Sequence, residues 1–267
     1  MTATASTATT VDALAHCAMR ESHSQMREDL LLLPTLVGAA RGNASSGVFV
    51  EIGALDGKTY SNTLMLESCF GWRGVLIEAN PLSFAKLNAS GRRANFVHSA
   101  VCGADDRRGV VRISLDGKET AGELSFLTKG RQASRRNRMV DVPCKPLGSI
   151  LLDNGVSKAD FLSVDVEGAE HKVLATVSPN AFQVILVERN KASDKGVARI
   201  MHAASMRMSK TLRVPLSDVW LQPGVDERAL RGAGESRRMK FENAVRPKIS
   251  VFSLSEAMSM AMAGRHE

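Results

Sequence analysis

Two short β-prone runs, each carrying a carboxylate at its end, constrain this chain more than any other feature. The first, Val48-Phe-Val-Glu51-Ile, turns at once through glycines spaced Gly53-x-x-x-Gly57. The second, Val75-Leu-Ile-Glu78, repeats the design twenty-odd residues later. A buried strand that stops at a glycine lets the backbone pass close to a ligand with no Cβ in the way. Open α/β sheets bind their ligands at the carboxyl edge of the strands, where both acids would project. An acid at the tip of the second strand is placed to accept two hydrogen bonds from a ribose diol. The pair predicts a nucleoside-containing cofactor and does not yet say which.

The rest of the chain supplies the sheet those strands need. A third strand is expected at Ala94–Val101, a fourth at Phe161–Val166 and a fifth at Val184–Val187, with helices over about 60–70, 84–88, 147–154, 170–176 and 195–208 between them. Strands alternating with helices over this length imply a mostly parallel α/β sheet with helices on both faces. Lys210–Val214 and Asp218–Leu221 read as a closing hairpin that adds an antiparallel edge strand. Between strands three and four, Gly109–Leu115 alternates like an exposed strand, Val140–Cys144 reads as another, and 120–139 is polar and basic. We divide the 267 residues into a tail and helical extension (1–46), the α/β domain (47–224) and a partly helical extension (225–267). Thr10 would cap a helix ending before Pro34, residues 1–10 would form a disordered tail, and Ser253-x-x-Glu256 has the form of a capping box.

Composition excludes some roles. One tyrosine and two tryptophans argue against binding single strands of nucleic acid by base stacking. The longest apolar stretch, 30–40, contains Pro34 and falls well short of the ~20 residues a membrane span needs. Cys17, Cys69, Cys102 and Cys144 are scattered with no C-x-x-C pair, and read as reduced, buried thiols of a soluble protein in a reducing, cytoplasmic compartment. The net charge of +7 is concentrated in Lys129, Arg131, Arg135, Arg136 and Arg138 and again in Arg237, Arg238 and Lys240. Such runs are usually solvated loops, with an anionic substrate, nucleic acid or an acidic membrane surface as the alternatives.

The first turn does not fit the dinucleotide fingerprint, whose glycines bring a helix N-terminus to a pyrophosphate. A carboxylate stands there instead, which favours a cationic or hydroxyl-rich ligand such as S-adenosylmethionine over NAD. The second acidic cluster runs Asp160-Phe-Leu-Ser-Val-Asp165-Val-Glu167-Gly-Ala-Glu170-His171. In a doubly wound sheet, strands one and four flank the switch point, so Asp165 and Glu167 would converge on the turn at 53–57. Glu170 suits the dipole of a helix start and reads as a structural acid.

Phe49-Val-Glu-Ile-Gly-Ala-Leu-Asp-Gly paired with Phe161-Leu-Ser-Val-Asp-Val-Glu-Gly-Ala-Glu resembles the FkbM family of S-adenosylmethionine-dependent methyltransferases. Gly71–Pro81, Ser61-Asn62-Thr63 and Val142–Leu147 add to the match. The resemblance implies a Rossmann-like class I methyltransferase fold with a seven-stranded sheet, and transfer of a methyl group, typically to a hydroxyl oxygen. Carried over by position, Glu51, Gly53 and Gly57 would line the methionine end of the cofactor, with Ala54 and Asp56 also among the cofactor-binding residues. Glu78 would hold the ribose, and Ala100 and Val101 would lie near the adenine.

Aligning an acceptor oxygen with the methyl carbon carries much of such a reaction, and an unactivated alcohol also needs a general base. The candidates are Asp165, Glu167, His171 and Glu188. Three of these are oxygen donors that suit magnesium or calcium, but their spacing is not diagnostic, and a divalent metal is not predicted. The acceptor is expected to be a hydroxyl of a small molecule, sugar or glycan-like compound, with an anionic one suggested by the basic loop. A nucleic-acid methyltransferase and a non-catalytic, methyltransferase-like interaction module are the alternatives, with a dinucleotide oxidoreductase behind them.

Overall fold

The computed structural model describes residues 2–103, 108–115, 139–228 and 247–263, with the side chains of 2–9 and Ser114 left aside. The basic runs at 129–138 and 237–240 lie outside the described residues, as does Gly264, where the helix opened by the capping box is expected to stop.

The central sheet holds β1 (Val48–Ile52), β2 (Arg73–Glu78), β3 (Asn95–His98), β7 (Ala159–Val164), β8 (Phe182–Glu188), β9 (Arg207–Met208) and β10 (Ser217–Leu221). Its order is β3-β2-β1-β7-β8-β10-β9. Neighbours from β3 to β8 are parallel, whereas β10 runs antiparallel to both β8 and β9. This is the expected mostly parallel, seven-stranded Rossmann-like arrangement with its antiparallel edge. The order reverses between β1 and β7, so the tips of β1, β2, β7 and β8 face a common crevice. A second, three-stranded sheet joins β4 (Ala100–Val101), β6 (Met139–Lys145) and β5 (Val110–Ser114) in that order.

Alternation along the buried strands feeds two cores. Phe49, Leu76, Phe161, Val184 and Leu186 face one side. There they meet α1 (Thr2–Glu21), α2 (Glu28–Ala39), α3 (Leu64–Phe70) and Leu87 of α4 (Pro81–Asn88), together with α8 (Val251–Ala263), which packs on α1 and α2. Val50, Ile52, Leu162, Val164, Ile185 and Val187 face the other side. They pack against α5 (Leu147–Asp153), α6 (Glu170–Leu174) and α7 (Asp194–Ala203). Both terminal extensions therefore contribute to the same core as the strands.

Asp160 at the base of β7 fixes the lead-in to β1. One of its oxygens accepts the Arg41 N–H at 2.7 Å and the other the Val48 N–H at 2.9 Å. Trp72, fully buried, donates its indole N–H to Ala44 O at 2.7 Å.

Several local expectations are corrected. Residues 2–10 continue a helix that starts at Thr2, so no disordered tail precedes a Thr10 cap. The chain turns at 22–27 and Pro34 sits inside the second helix, because the Leu-rich run packs wholly into the core. Strand three divides at Ser99, whose hydroxyl donates to Ala100 O and Pro143 O and turns the chain into the second sheet. The closing strand expected at 210–214 is instead the short pair at Arg207–Met208, so the preceding helix stops at Ala203. Ser250, and not Ser253, caps the last helix, its hydroxyl accepting the Ser253 N–H at 3.1 Å.

The cysteines are also corrected. Cys17 is bonded to Cys69 and Cys102 to Cys144, so none is a free thiol. The pairs are 52 and 42 residues apart and carry no motif. Packing of α1 on α3 brings the first together, and pairing of Ala100 with Cys144 across the second sheet brings the second. The ground for expecting a reducing compartment therefore falls away. Among the described residues, no helix is long and apolar enough to cross a membrane.

Candidate active site

The crevice is built first by a glycine. Gly53 adopts φ +84° and its N–H reaches Ile77 O at 3.0 Å. A Cβ there would lie 2.1 Å from the carbonyl oxygen of Asp165, so the tips of β1 and β7 approach this closely only because the side chain is absent.

Glu51 is buried, and its carboxylate gathers the segment that follows the turn. It accepts the Asn62 N–H at 2.7 Å, the Thr63 hydroxyl at 2.6 Å and the Ser61 hydroxyl at 2.9 Å. Arg92 clamps the same segment from behind. Its guanidinium donates to Gly57 O at 2.6 Å, Thr63 Oγ1 at 3.0 Å and Ser61 Oγ at 3.2 Å, and pairs with the Glu67 carboxylate at 2.9 Å. Asp56 closes the turn by accepting the N–H groups of Thr59 and Lys58 at 2.7 and 2.9 Å. Partial burial works against its charge, but these bonds outweigh it and hold the carboxyl below its ordinary range. Residues 53–63 thus form a rigid cradle.

Glu78 ends β2 inside this cradle. One oxygen accepts the Leu55 N–H at 2.8 Å and the other the Asn80 N–H at 2.7 Å. Burial pushes its carboxyl up to about 7, and the negative charge of Asp165 adds to the rise while the N–H bonds resist it. The Ala79 N–H also bonds this carboxyl, which keeps acceptor capacity for a further donor.

A cavity of about 310 Å³ opens along the strand tips. Glu51, Gly53, Glu78, Ala100, Val101, Asp165, Glu167 and Glu188 all line it. So do Val111 and Ile113 of β5, which bring the second sheet in as a wall. At one end Asp165 and Glu188 hydrogen-bond through their carboxyl groups. Crowding by protein pushes Asp165 up to about 7, with the Glu188 bond opposing the rise; the group stays open to water in the cavity, which tempers the shift. Desolvation, then the charges of Asp165 and Glu167, drive Glu188 up to about 10, so it is the proton-bearing partner. Glu167 occupies a left-handed turn with φ +58°.

Four of the residues singled out in the sequence do not line the cavity: Ala54, Asp56, Gly57 and His171. The first three shape the cradle. His171, on α6, packs against α7 where a Cβ on Gly196 would come within 2.8 Å of the His171 Cβ. Glu170 accepts the Gly168 N–H at 2.8 Å and the Ser193 hydroxyl, tying the turn after β7 to the start of α7. Tyr60 and Gln25 line the cavity without having been singled out, and Asn62 lines it with no role assigned from the sequence. Ser61-Asn62-Thr63 was visible as part of a motif, but its role depends on Glu51 reaching ten residues along the chain. Gln25 carries no local signal; its segment arrives through a parallel bridge between Ser24 and Tyr60. Among the described residues, no group of three or more His, Cys, Asp or Glu is arranged to hold a metal ion.

Residues 51–209, more than half the chain, match the family described as the methyltransferase FkbM domain. No curated protein sequence matches the chain. Among solved structures, it is similar to methyltransferase FkbM from Methylobacillus flagellatus KT, at 12% identity and a TM-score of 0.41. That match covers 67% of this chain and 44% of the other, so the chain spans less than half of that relative's length. It is also similar to Aeropyrum pernix fibrillarin, solved with natively bound S-adenosyl-L-methionine, at 10% identity and a TM-score of 0.38, covering 72% of this chain and 74% of the other.

Proposed function

Because the chain belongs to the FkbM methyltransferase family, we propose that its cavity binds S-adenosylmethionine and that the enzyme methylates a hydroxyl oxygen on a small-molecule, sugar or glycan-like acceptor. One observation carries the reading: a single cavity has Glu78 at one strand tip and the Asp165–Glu188 pair at two others. The residues present fit the cofactor. Among the described residues, five of the lining side chains are carboxylic acids (Glu51, Glu78, Asp165, Glu167 and Glu188) and none is Lys, Arg or His, which suits a ligand carrying an ammonium and a sulfonium.

When bound, S-adenosylmethionine supplies an electrophilic methyl group. Glu78 would accept a ribose hydroxyl on the acceptor capacity that the Leu55, Asn80 and Ala79 N–H groups leave open. Ser99, Ala100 and Val101 form the flat wall for the base. Asp165, in its ionised form, takes the proton from the acceptor hydroxyl. Glu188, protonated, donates to Asp165 and fixes its orientation, so this pair is the proposed base and its positioning partner. Glu167 lies near enough to bias both by its charge. His171, turned toward α7, takes no part. We also read the described parts of the two extensions, 2–46, 225–228 and 247–263, as parts of the one folding unit that carries the site.

Transfer of a radiolabelled methyl group from S-adenosylmethionine to hydroxylated acceptors tests the reading. Label recovered as a base-stable ether supports it. Label recovered on nitrogen or on nucleic acid contradicts the oxygen assignment.

A further inference from the structure

Glu188 borders three cavities at once. Beyond the 310 Å³ cavity, it lines a recess of about 30 Å³ with Gln25, Glu28, Tyr60, Asn62 and Ser217, and a separate 120 Å³ cavity toward Trp220. The recess adjoins the Asp165–Glu188 pair and is about a tenth the volume of the main cavity. It admits the reacting edge of an acceptor, whose bulk must lie at the mouth.

Two observations describe what fits. First, Asn62 Oδ1 and Glu188 Oε2 are buried in its walls with no hydrogen-bond partner. Such an acceptor favours a ligand that brings a donor to it. Asn62 Oδ1 accepts only, so the ligand must bring donors. Second, among the described residues the lining contains Glu28, Asp165 and Glu188 and no Lys, Arg or His. A phosphate or carboxylate placed here would meet three carboxyl groups and no cationic side chain among the described lining residues. The anionic acceptor suggested by the basic loop finds no counterpart among the described residues of this recess.

One wall comes from outside the matched family region. Gln25 and Glu28 precede residue 51, and their segment is held in place on several sides. Ser24 bridges to Tyr60, Asp29 accepts the hydroxyls of Ser22 and Ser24 at 2.8 and 2.5 Å, and Cys17–Cys69 ties the preceding helix to α3.

We propose that this recess receives an acceptor rich in hydrogen-bond donors and free of negative charge, of the amino-sugar or amino-alcohol class, and that the N-terminal segment selects it through Gln25 and Glu28. The proposal rests on the methyltransferase reading above.

Calorimetry on protein saturated with S-adenosylhomocysteine tests it, with glucosamine, glucose and glucose 6-phosphate as probes. Glucosamine is expected to bind most tightly and glucose 6-phosphate not at all. Ser217→Leu, which fills the recess from a position outside the cofactor cavity, is expected to weaken glucosamine about tenfold or more, roughly 1.4 kcal/mol, with S-adenosylhomocysteine affinity unchanged. Glu28→Gln keeps an acceptor for the Met26 N–H and removes the charge, so it is expected to narrow the preference for glucosamine over glucose. Binding of glucose 6-phosphate as tight as that of glucosamine, or no sugar bound by the saturated wild type, overturns the proposal. Failure of S-adenosylhomocysteine itself to bind contradicts the cofactor reading instead, and the two failures are read from separate titrations.

Discussion

Asp165 and Glu188 stand at the tips of adjacent parallel strands, one step beyond the Val164–Val187 register pair, and their carboxyl groups hydrogen-bond to each other. Two carboxylates so close cannot both ionise readily, so the pair holds one proton over a wide pH range. The proposed chemistry uses this singly protonated form, with Asp165 as the base.

Methyl transfer should therefore rise with pH through an apparent value above the ordinary aspartate range, where Asp165 loses its proton. Asp165→Asn should lower kcat by about 10²-fold or more. Glu188→Gln, which can still donate to Asp165, should leave the rising limb in place. Glu188→Ala removes the bond that holds the Asp165 value down, and should move the limb to higher pH. A pH profile unchanged in both Glu188 variants would remove Glu188 from the mechanism.

Arg92 and Glu67 form an ion pair that is almost wholly buried, at 1% and 5% side-chain exposure. Arg92→Met should destabilise the fold by about 3–5 kcal/mol, because Glu67 is left buried without its partner. The double variant Arg92→Met/Glu67→Gln should recover part of that loss in urea titrations. Both should weaken cofactor binding, since Arg92 also holds Gly57, Ser61 and Thr63.

How far the sequence reveals this site follows from the reach of each interaction. Glu78 and Asp165 are legible because a strand ending in an acid is a local pattern, and Gly53 because the turn demands it. The cradle is less so. Glu51 looks like a ligand-facing acid, yet its oxygens gather residues 61–63, a use that depends on the path of the intervening loop. Arg92 and Gln25 reach the site from 25 or more residues away in the chain, across tertiary contacts that no periodicity marks. The disulfides are hidden for the same reason, and the division of strand three at Ser99 depends on a partner, Pro143, in a different sheet. Strand and helix existence fared better, because burial on both sheet faces imposes long apolar runs whatever the loops do.

Asp29 is 0% exposed and burial pushes its carboxyl up to about 7, against the hydroxyls of Ser24 and Ser22. The folded state therefore keeps a proton that the unfolded chain has lost. Its contribution to stability declines as pH rises from about 4 to about 7 and is constant above that range. Asp29→Asn should gain on the wild type across that window, by on the order of 1 kcal/mol per pH unit. Urea unfolding at about pH 5 and pH 8 checks the sign, and a gain confined to the acidic end would contradict it.

Reduction should act on both the fold and the cavity. Cys102 directly follows Val101 in the cavity wall, and its bond to Cys144 pins β4 to β6. Loss of a native disulfide typically costs about 2–5 kcal/mol. Unfolding with and without a dithiol reductant should show a difference of that order, with cofactor affinity falling in parallel. Intact mass after alkylation of the denatured protein should show no modified cysteine unless reductant is present.

The most direct measurement of the central claim is calorimetric titration of the purified protein with S-adenosylmethionine and S-adenosylhomocysteine, with NAD as the control and Glu78→Ala as the site variant. The account predicts binding of the first two in the micromolar range, at least about tenfold weaker in Glu78→Ala, and none for NAD. A folded wild-type protein that binds neither sulfur nucleoside, or binds them equally well without Glu78, would contradict it.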